Sequence, residues 1–269
     1  MVFGIRINKF FELFNEDGTL RPKYIFTDIH GCYDTFVALL DKLPNKGIGL
    51  DVIITGDIVD RGNDSLKIID LIIERGYLCL LGNHEDMLLK WYGPELENIY
   101  GDTWIQNGGY FLERELTLLK KFNPHRFNKY MDFFKNLKYY AILPDEYNIN
   151  NRKVLLTHAP SNYFFELGNA LSKDDRFNMI WNRTIHNDID KNYFNICGHN
   201  PSRMFERVNH PNLTEEKVLL RDDLASIDTS CSYGEMLTCL ILPSKEIIQQ
   251  KNVEVPDRTE VQQTRGYNG

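Results

Sequence analysis

Three short phrases carry the residues best able to do chemistry: Asp28-Ile29-His30-Gly31, Gly56-Asp57-Ile58-Val59-Asp60-Arg61-Gly62 and Gly82-Asn83-His84-Glu85. At about 5 % usage per specified position, five fixed residues of the middle phrase would match by chance roughly once in several million windows. Here all three phrases stand in order. Two later fragments, Thr157-His158-Ala159-Pro160 and Gly198-His199-Asn200-Pro201, each add a histidine. Six ligand-type side chains are thereby available: Asp28, His30, Asp57, Asn83, His158 and His199. Carboxylates mixed with several imidazoles suit Mn, Fe or Zn better than Ca, and a bridging carboxylate is the natural way to hold two ions. Two such cations polarise phosphoryl oxygens and lower the pKa of a bridging water, so the chemistry that fits is hydrolysis of a phosphoester.

The elements that must position these residues follow an α/β rhythm. Tyr24-Ile25-Phe26-Thr27, Asp51-Val52-Ile53-Ile54-Thr55 and Tyr77-Leu78-Cys79-Leu80-Leu81 are short, buried-type strands, and each runs directly into one of the phrases. Apolar residues at three- and four-residue spacing predict helices over 34–43 and 63–74, with Asp34 and Asn63 or Asp64 as N-caps. Further helices are expected over 84–91, 110–122 and 127–137, and strands within 139–159, 194–199 and 222–250. In open α/β sheets ligands collect at the carboxyl ends of the strands, where these phrases sit.

The 269 residues can bury one large core, so one domain over residues 1–250 is expected, followed by a polar and mobile tail from Lys251 to Gly269. A 42 % hydrophobic and 26 % charged composition excludes a disordered chain, and the longest apolar runs fall short of a membrane span. The first 14 residues carry Arg6, Lys9 and Glu12, which argues against a secretory signal. A net charge of −7 without a basic run argues against a nucleic-acid partner. Five cysteines form no C-x-x-C pair, consistent with reduced thiols in the cytoplasm.

In their order, these phrases resemble the calcineurin-like metallophosphoesterase superfamily, and the Asp-Arg-Gly ending of the middle phrase resembles its phosphoprotein phosphatase branch. The resemblance spans about Ile25 to Ile241. It implies an α/β fold, a two-sheet β-sandwich flanked by helices in four α/β/β/α layers. It further implies that Asp28 and His30 bind the first metal, that Asp57 bridges both, and that Asn83, His158 and His199 complete the second. His84 would be the general acid, Asp60 would orient it, and Arg61 would clamp the substrate phosphate, with Arg183 of Trp181-Asn182-Arg183 as a second phosphate ligand. The implied cofactors are two divalent ions, Mn first, with Fe, Zn or Mg as other occupants, and a metal-bridging hydroxide as the in-line nucleophile. An imidazole beside a metal-bound Asn can protonate the leaving oxygen, and arginine's planar fork donates to phosphate in pairs.

Taken singly, several of these residues have plainer readings. Asp57 between glycines could be a turn residue, a lone strand-end His is usually a structural hydrogen-bonder, and Arg61 could pair with Asp60 or Asp64. A tryptophan beside Arg183 could simply pack on its stem. Glu85 could be second-line support or a first-turn helix carboxylate, and is assigned no role.

Departures from the family pattern bear on substrate. Leu81 stands where phosphoprotein phosphatases commonly carry Arg, Thr27 where Gly is usual, and Pro201 where phosphodiesterases carry a further His. The leading expectation is a serine/threonine phosphatase of bacterial or phage type acting on phosphomonoesters of proteins or small molecules. The segment Trp104 to Gly109, which resembles a loop of those enzymes, supports it. Leu81 favours the alternative, a symmetrical diadenosine tetraphosphate hydrolase. A metal-stabilised interaction protein without catalysis is the remaining reading, and it would be expected to have lost ligands.

Overall fold

The computed structural model describes residues 4–6, 13–93, 101–161, 171–185, 192–206 and 212–254. In chain order the elements are β1 (Gly4–Arg6), β2 (Lys23–Phe26), α1 (Tyr33–Leu40), β3 (Asp51–Ile54), α2 (Ser65–Arg75), β4 (Leu78–Cys79), α3 (Asn83–Tyr92) and α4 (Gly101–Trp104). They continue with α5 (Tyr110–Phe122), α6 (Pro124–Asn136), β5 (Tyr140–Ile142), β6 (Lys153–Thr157), α7 (Lys173–Trp181), β7 (Tyr193–Cys197) and α8 (Arg203–Glu206). The last strands are β8 (Leu219–Leu220), β9 (Leu224–Ser226), β10 (Met236–Leu242) and β11 (Glu246–Lys251).

The strands form two mixed sheets, ordered β11-β10-β2-β3-β4 and β1-β5-β6-β7-β9-β8. Within the first, β2, β3 and β4 run parallel; within the second, β6, β7 and β9 do. The period-two alternation of strand side chains explains the layering. Tyr24 and Phe26, and likewise Val52 and Ile54, face the cluster that α1, α2, α3, α5 and α6 cover. Their neighbours Ile25 and Ile53 face the other way, meeting Val154, Leu156, Ile196 and Ala225 of the second sheet. Leu155, on the outer face of that sheet, packs on Met179 and Ile180 of α7. Helices, sheet, sheet and helix therefore form the four layers expected, and strands apolar on both faces read as continuous hydrophobic runs because both faces are buried.

Some expected local details differ. Asp34 is no cap: α1 begins at Tyr33, with Asp34 inside its first turn and Cys32 at the cap position without a side-chain bond. The Thr35 N–H is instead taken by Glu254 Oε1 at 3.0 Å, a cap supplied from across the chain that local sequence does not reveal. Asp64 does precede α2 but makes no capping bond; its carboxylate pairs with Lys67 at 3.1 Å. Lys251 pairs with Met236 at the edge of the first sheet, and Val253 N–H donates to Thr35 Oγ1, so Lys251 to Glu254 belong to the folded body. The remainder of the expected tail, 255–269, lies outside the described residues.

Candidate active site

All three phrases and both later histidines follow the carboxyl ends of parallel strands: β2, β3 and β4 from one sheet, β6 and β7 from the other. The sandwich thus brings five loops to one place. Their backbone is strained there, since Asp28, His30, Asp57, Asp60, Arg61 and His199 all have positive φ. Such conformations cost about 1–3 kcal/mol each and persist only where the surroundings over-determine them.

The imidazole tautomers follow from geometry. His30 Nδ1 lies 2.9 Å from the Val59 carbonyl, and His158 Nδ1 lies 3.2 Å from that of Thr55. Each Nδ1 therefore carries a proton, so Nε2 is the ring atom turned into the site, and in His30, which burial keeps neutral, it presents a lone pair. Both Nε2 atoms face Asp57 Oδ2, at 3.4 Å from His30 and 3.3 Å from His158. His30 Nε2 also lies 3.7 Å from Asp28 Oδ1 and has no hydrogen-bond partner among the described residues. His158 Nε2 further meets Asn83 Oδ1 at 2.9 Å and His199 Nδ1 at 3.1 Å. Acceptors turned on one another in a buried site repel unless a proton or a cation stands between them. The donor set, buried and convergent on Asp57, fits divalent cations. Two compact triads result, His30–Asp57–His84 and Asp57–His158–His199, with Asp57 common to both. Asp28 turns its other oxygen to Thr27 Oγ1 at 2.5 Å and to the His199 N–H at 3.0 Å.

Protonation reports the same crowding in the metal-free protein. Burial raises the Asp57 carboxyl, but His158, His84 and His30 outweigh it and hold the group well below its usual range. Burial alone would lower His158, yet Asp57, Asp28 and Glu85 push it up to about 9. Burial, helped by the Arg61 charge, holds His30 well below its ordinary value; burial, with His158 and Arg183, does the same to His199. Protons thus occupy part of the space that cations would take.

A second tier positions His84. Its Nδ1 lies 2.6 Å from Asp60 Oδ2, and that same oxygen accepts from Trp104 Nε1 at 2.7 Å. Asp60 is held in turn by its backbone N–H to Ser65 Oγ at 3.0 Å. On the other edge of the ring, Arg61 Nη2 sits 3.2 Å from His84 Nε2. Arg61 makes no ion pair with Asp60 or Asp64 among the described residues; its Nη1 donates to Ser232 Oγ at 3.3 Å and its backbone N–H to the Gly108 carbonyl. Any side chain at Gly108 would strike Arg61, with a Cβ only 2.9 Å from Cγ, so this glycine is required for the approach. Arg183 is the outlier of the expected set. It is exposed at the rim, its carbonyl accepts from Asn200 Nδ2 at 3.2 Å, and its charge is felt at His199.

Two structural partners escaped the sequence reading. Glu85 is fully buried and accepts four backbone N–H groups: Asp57 and Gly82 on Oε2, Ile58 and Val59 on Oε1, at 2.9–3.3 Å. It ties the second and third phrases together, while burial and the Asp57 charge raise its carboxyl to about 7. The available signal was a Glu at the third helical position, the half of a capping box that reaches back to the N-cap backbone N–H. Trp104 was noticed only as the start of a loop resembling one of bacterial and phage-type phosphatases, and nothing in its local sequence announces the Asp60 bond.

These observations meet the comparisons with known proteins. Residues 22–227 match the model of the Calcineurin-like phosphoesterase family, and the chain belongs to that family. It is 26 % identical to the asymmetrical bis(5'-nucleosyl)-tetraphosphatase PrpE of Anoxybacillus flavithermus over 251 residues, 83 % of this chain and 91 % of that one. It is 34 % identical to serine/threonine-protein phosphatase 2 of Salmonella typhimurium over 116 residues, 39 % of this chain and 51 % of that one. Among solved structures, a provisionally assigned diadenosine tetraphosphatase superposes with a TM-score of 0.56 at 17 % identity, covering 94 % of this chain and 99 % of that one.

Proposed function

We propose that this chain is a metal-dependent phosphoester hydrolase that prefers dinucleoside polyphosphates. The observation that carries the hydrolase is the convergence of the His30 and His158 Nε2 atoms on one Asp57 oxygen, with no ligand position of the six lost. That complete, convergent set counts against a catalytically silent interaction protein. Divalent ions held there by Asp28, His30, Asp57, Asn83, His158 and His199 would supply Lewis acidity and a lowered water pKa. Mn, Fe, Zn and Mg all suit the donors, with Mn the first choice.

The chain's own groups would do the rest. Arg61 occupies His84 Nε2 in the free site. A phosphate that takes the Arg61 guanidinium frees Nε2 to carry the proton for the leaving oxygen, while Asp60 Oδ2 holds Nδ1 and supports the imidazolium form. Trp104, by donating to the same oxygen, fixes the carboxylate and hence the ring. Arg183 at the rim would add a second cation for the substrate.

Leu81 favours the nucleotide substrate. Its side chain is 4 % exposed and packs with Ile142, Leu155, Met179 and Ile180, so the wall that bears a phosphate-side arginine in phosphoprotein phosphatases is apolar. The relative similar over nearly its whole length is an asymmetrical tetraphosphatase, which favours asymmetrical cleavage over the symmetrical mode expected from Leu81 alone. The serine/threonine phosphatase remains the second reading, because the Trp104 to Gly109 loop is built directly against Asp60 and Arg61. A panel of p-nitrophenyl phosphate, a phosphoserine peptide and diadenosine tetraphosphate separates them. Selective release of ATP and AMP supports the first reading, two ADP the symmetrical mode, and preferential peptide turnover the phosphatase.

We propose a cytoplasmic location, which reduced thiols would suit. All five cysteines are free and buried, and among the described residues no helix is long and apolar enough to cross a membrane.

A further inference from the structure

The loop that follows β9 presents an aromatic ring shared by two arginines, one of which, Arg203, has no part in the hydrolytic centre described above. Tyr233 is 45 % exposed beside Ser232, the residue that receives Arg61 Nη1. Two guanidinium groups lie over its ring: Arg61 at 5.3 Å from the centroid and Arg203 at 3.5 Å. Arg203 opens α8 four residues beyond His199, and its neighbour Ser202 donates its N–H to the Asp228 carbonyl at 2.9 Å. The Tyr233 loop is pinned from the other side by Asn252 Nδ2 on the Cys231 carbonyl at 2.8 Å. Both arginines therefore stand on the loops that build the metal centre.

In a chain of net charge −7, neither arginine has a carboxylate partner among the described residues. Arg203 is exposed, yet it is stacked rather than free to sweep through solvent. A guanidinium laid on an aromatic face keeps its in-plane N–H groups available, and the stack removes part of the entropy lost on binding an anion. Arg61 addresses the centre through His84, and Arg203 continues the cationic line outward across the same ring.

Resting on the hydrolase reading above, we infer that Arg203, braced by Tyr233, binds the phosphate adjacent to the one being hydrolysed, so that the site is built for a polyphosphate chain. Arg203 is a specificity residue that touches the non-reacting part of the substrate. Its contribution falls on substrates with a second phosphate and much less on those with one.

The test is equilibrium binding to the Mn-loaded protein, measured by calorimetry with methylenediphosphonate, whose P–C–P link does not hydrolyse, and with methylphosphonate. Arg203→Ala is expected to weaken diphosphonate binding at least about tenfold more than monophosphonate binding, the usual scale of a charge-assisted contact. Arg203→Lys should recover part of the loss, and Tyr233→Phe should retain what Tyr233→Leu loses, because the face and not the hydroxyl does the bracing. Equal weakening of both ligands, or of neither, overturns the inference. The hydrolase reading fails separately: that outcome is a folded, metal-loaded wild type that turns over no phosphoester, and the binding comparison needs no turnover.

Discussion

Replacing Glu85 by Gln tests how the centre is held before any metal arrives. Each carboxylate oxygen accepts two backbone N–H groups, and glutamine keeps only one oxygen, so two donors among Asp57, Gly82, Ile58 and Val59 would face an NH2 group. A buried donor left without its partner costs about 1–3 kcal/mol, which gives roughly 2–6 kcal/mol for the pair. A domain's whole stability is only about 5–15 kcal/mol. The assay is urea denaturation of the metal-stripped protein at pH 8, above the raised Glu85 value of about 7. Because Asp57 and Gly82 hang from the same side chain, Mn affinity measured in parallel should fall about 10- to 100-fold. A midpoint and an affinity both indistinguishable from the wild type would refute the view that Glu85 holds the second and third phrases in register.

Other perturbations reach different parts of the site. Trp104→Phe removes one of the two donors to Asp60 Oδ2, which should lower stability by about 1 kcal/mol and reduce turnover; an unchanged rate would detach Trp104 from His84 orientation. His84→Asn should slow hydrolysis by about 10²–10⁴-fold on an alkyl phosphate but far less on p-nitrophenyl phosphate, whose leaving group needs no acid; equal losses would remove His84 from that role. In the metal-free protein, Asp228 is raised by burial and the Asp28 charge to about 8, and His158 stands at about 9. Groups raised on folding stabilise while protonated, so stability should fall from pH 7 to 9 by about 1–3 kcal/mol per pH unit, read by denaturant midpoints. Bound Mn should remove the His158 share of that fall, since a cation then stands in place of the His158 proton.

How much was legible in the sequence follows from where each signal resides. The strands β2, β3 and β4 announced themselves because both their faces are buried, and the phrases after them are short-range patterns of residue types. Asp28, His30, Asp57, Asn83, His158 and His199 were singled out as candidates in this way, and their burial and mutual approach are features that only the fold supplies. Trp104 and Glu254 were missed because each acts more than 20 positions away, on Asp60 and Thr35, and Glu85 was given no role because its one local bond, to Gly82, does not reveal its three distant ones, to Asp57, Ile58 and Val59. Thr27, a mere departure from pattern in the sequence, donates to Asp28. Leu81 was noticed as a missing charge, but the apolar wall around it is a tertiary property.

If Asp57 holds together a centre of two cations that hydrolyses phosphoesters, titration of Mn into the metal-stripped protein, with bound metal and hydrolysis of diadenosine tetraphosphate and p-nitrophenyl phosphate followed together and Asp57→Asn alongside, should show it. Turnover is expected to rise with the second equivalent of Mn and to be absent from the folded Asp57→Asn protein. A wild type that binds two equivalents and hydrolyses neither substrate, or an Asp57→Asn protein of undiminished activity, would contradict that reading.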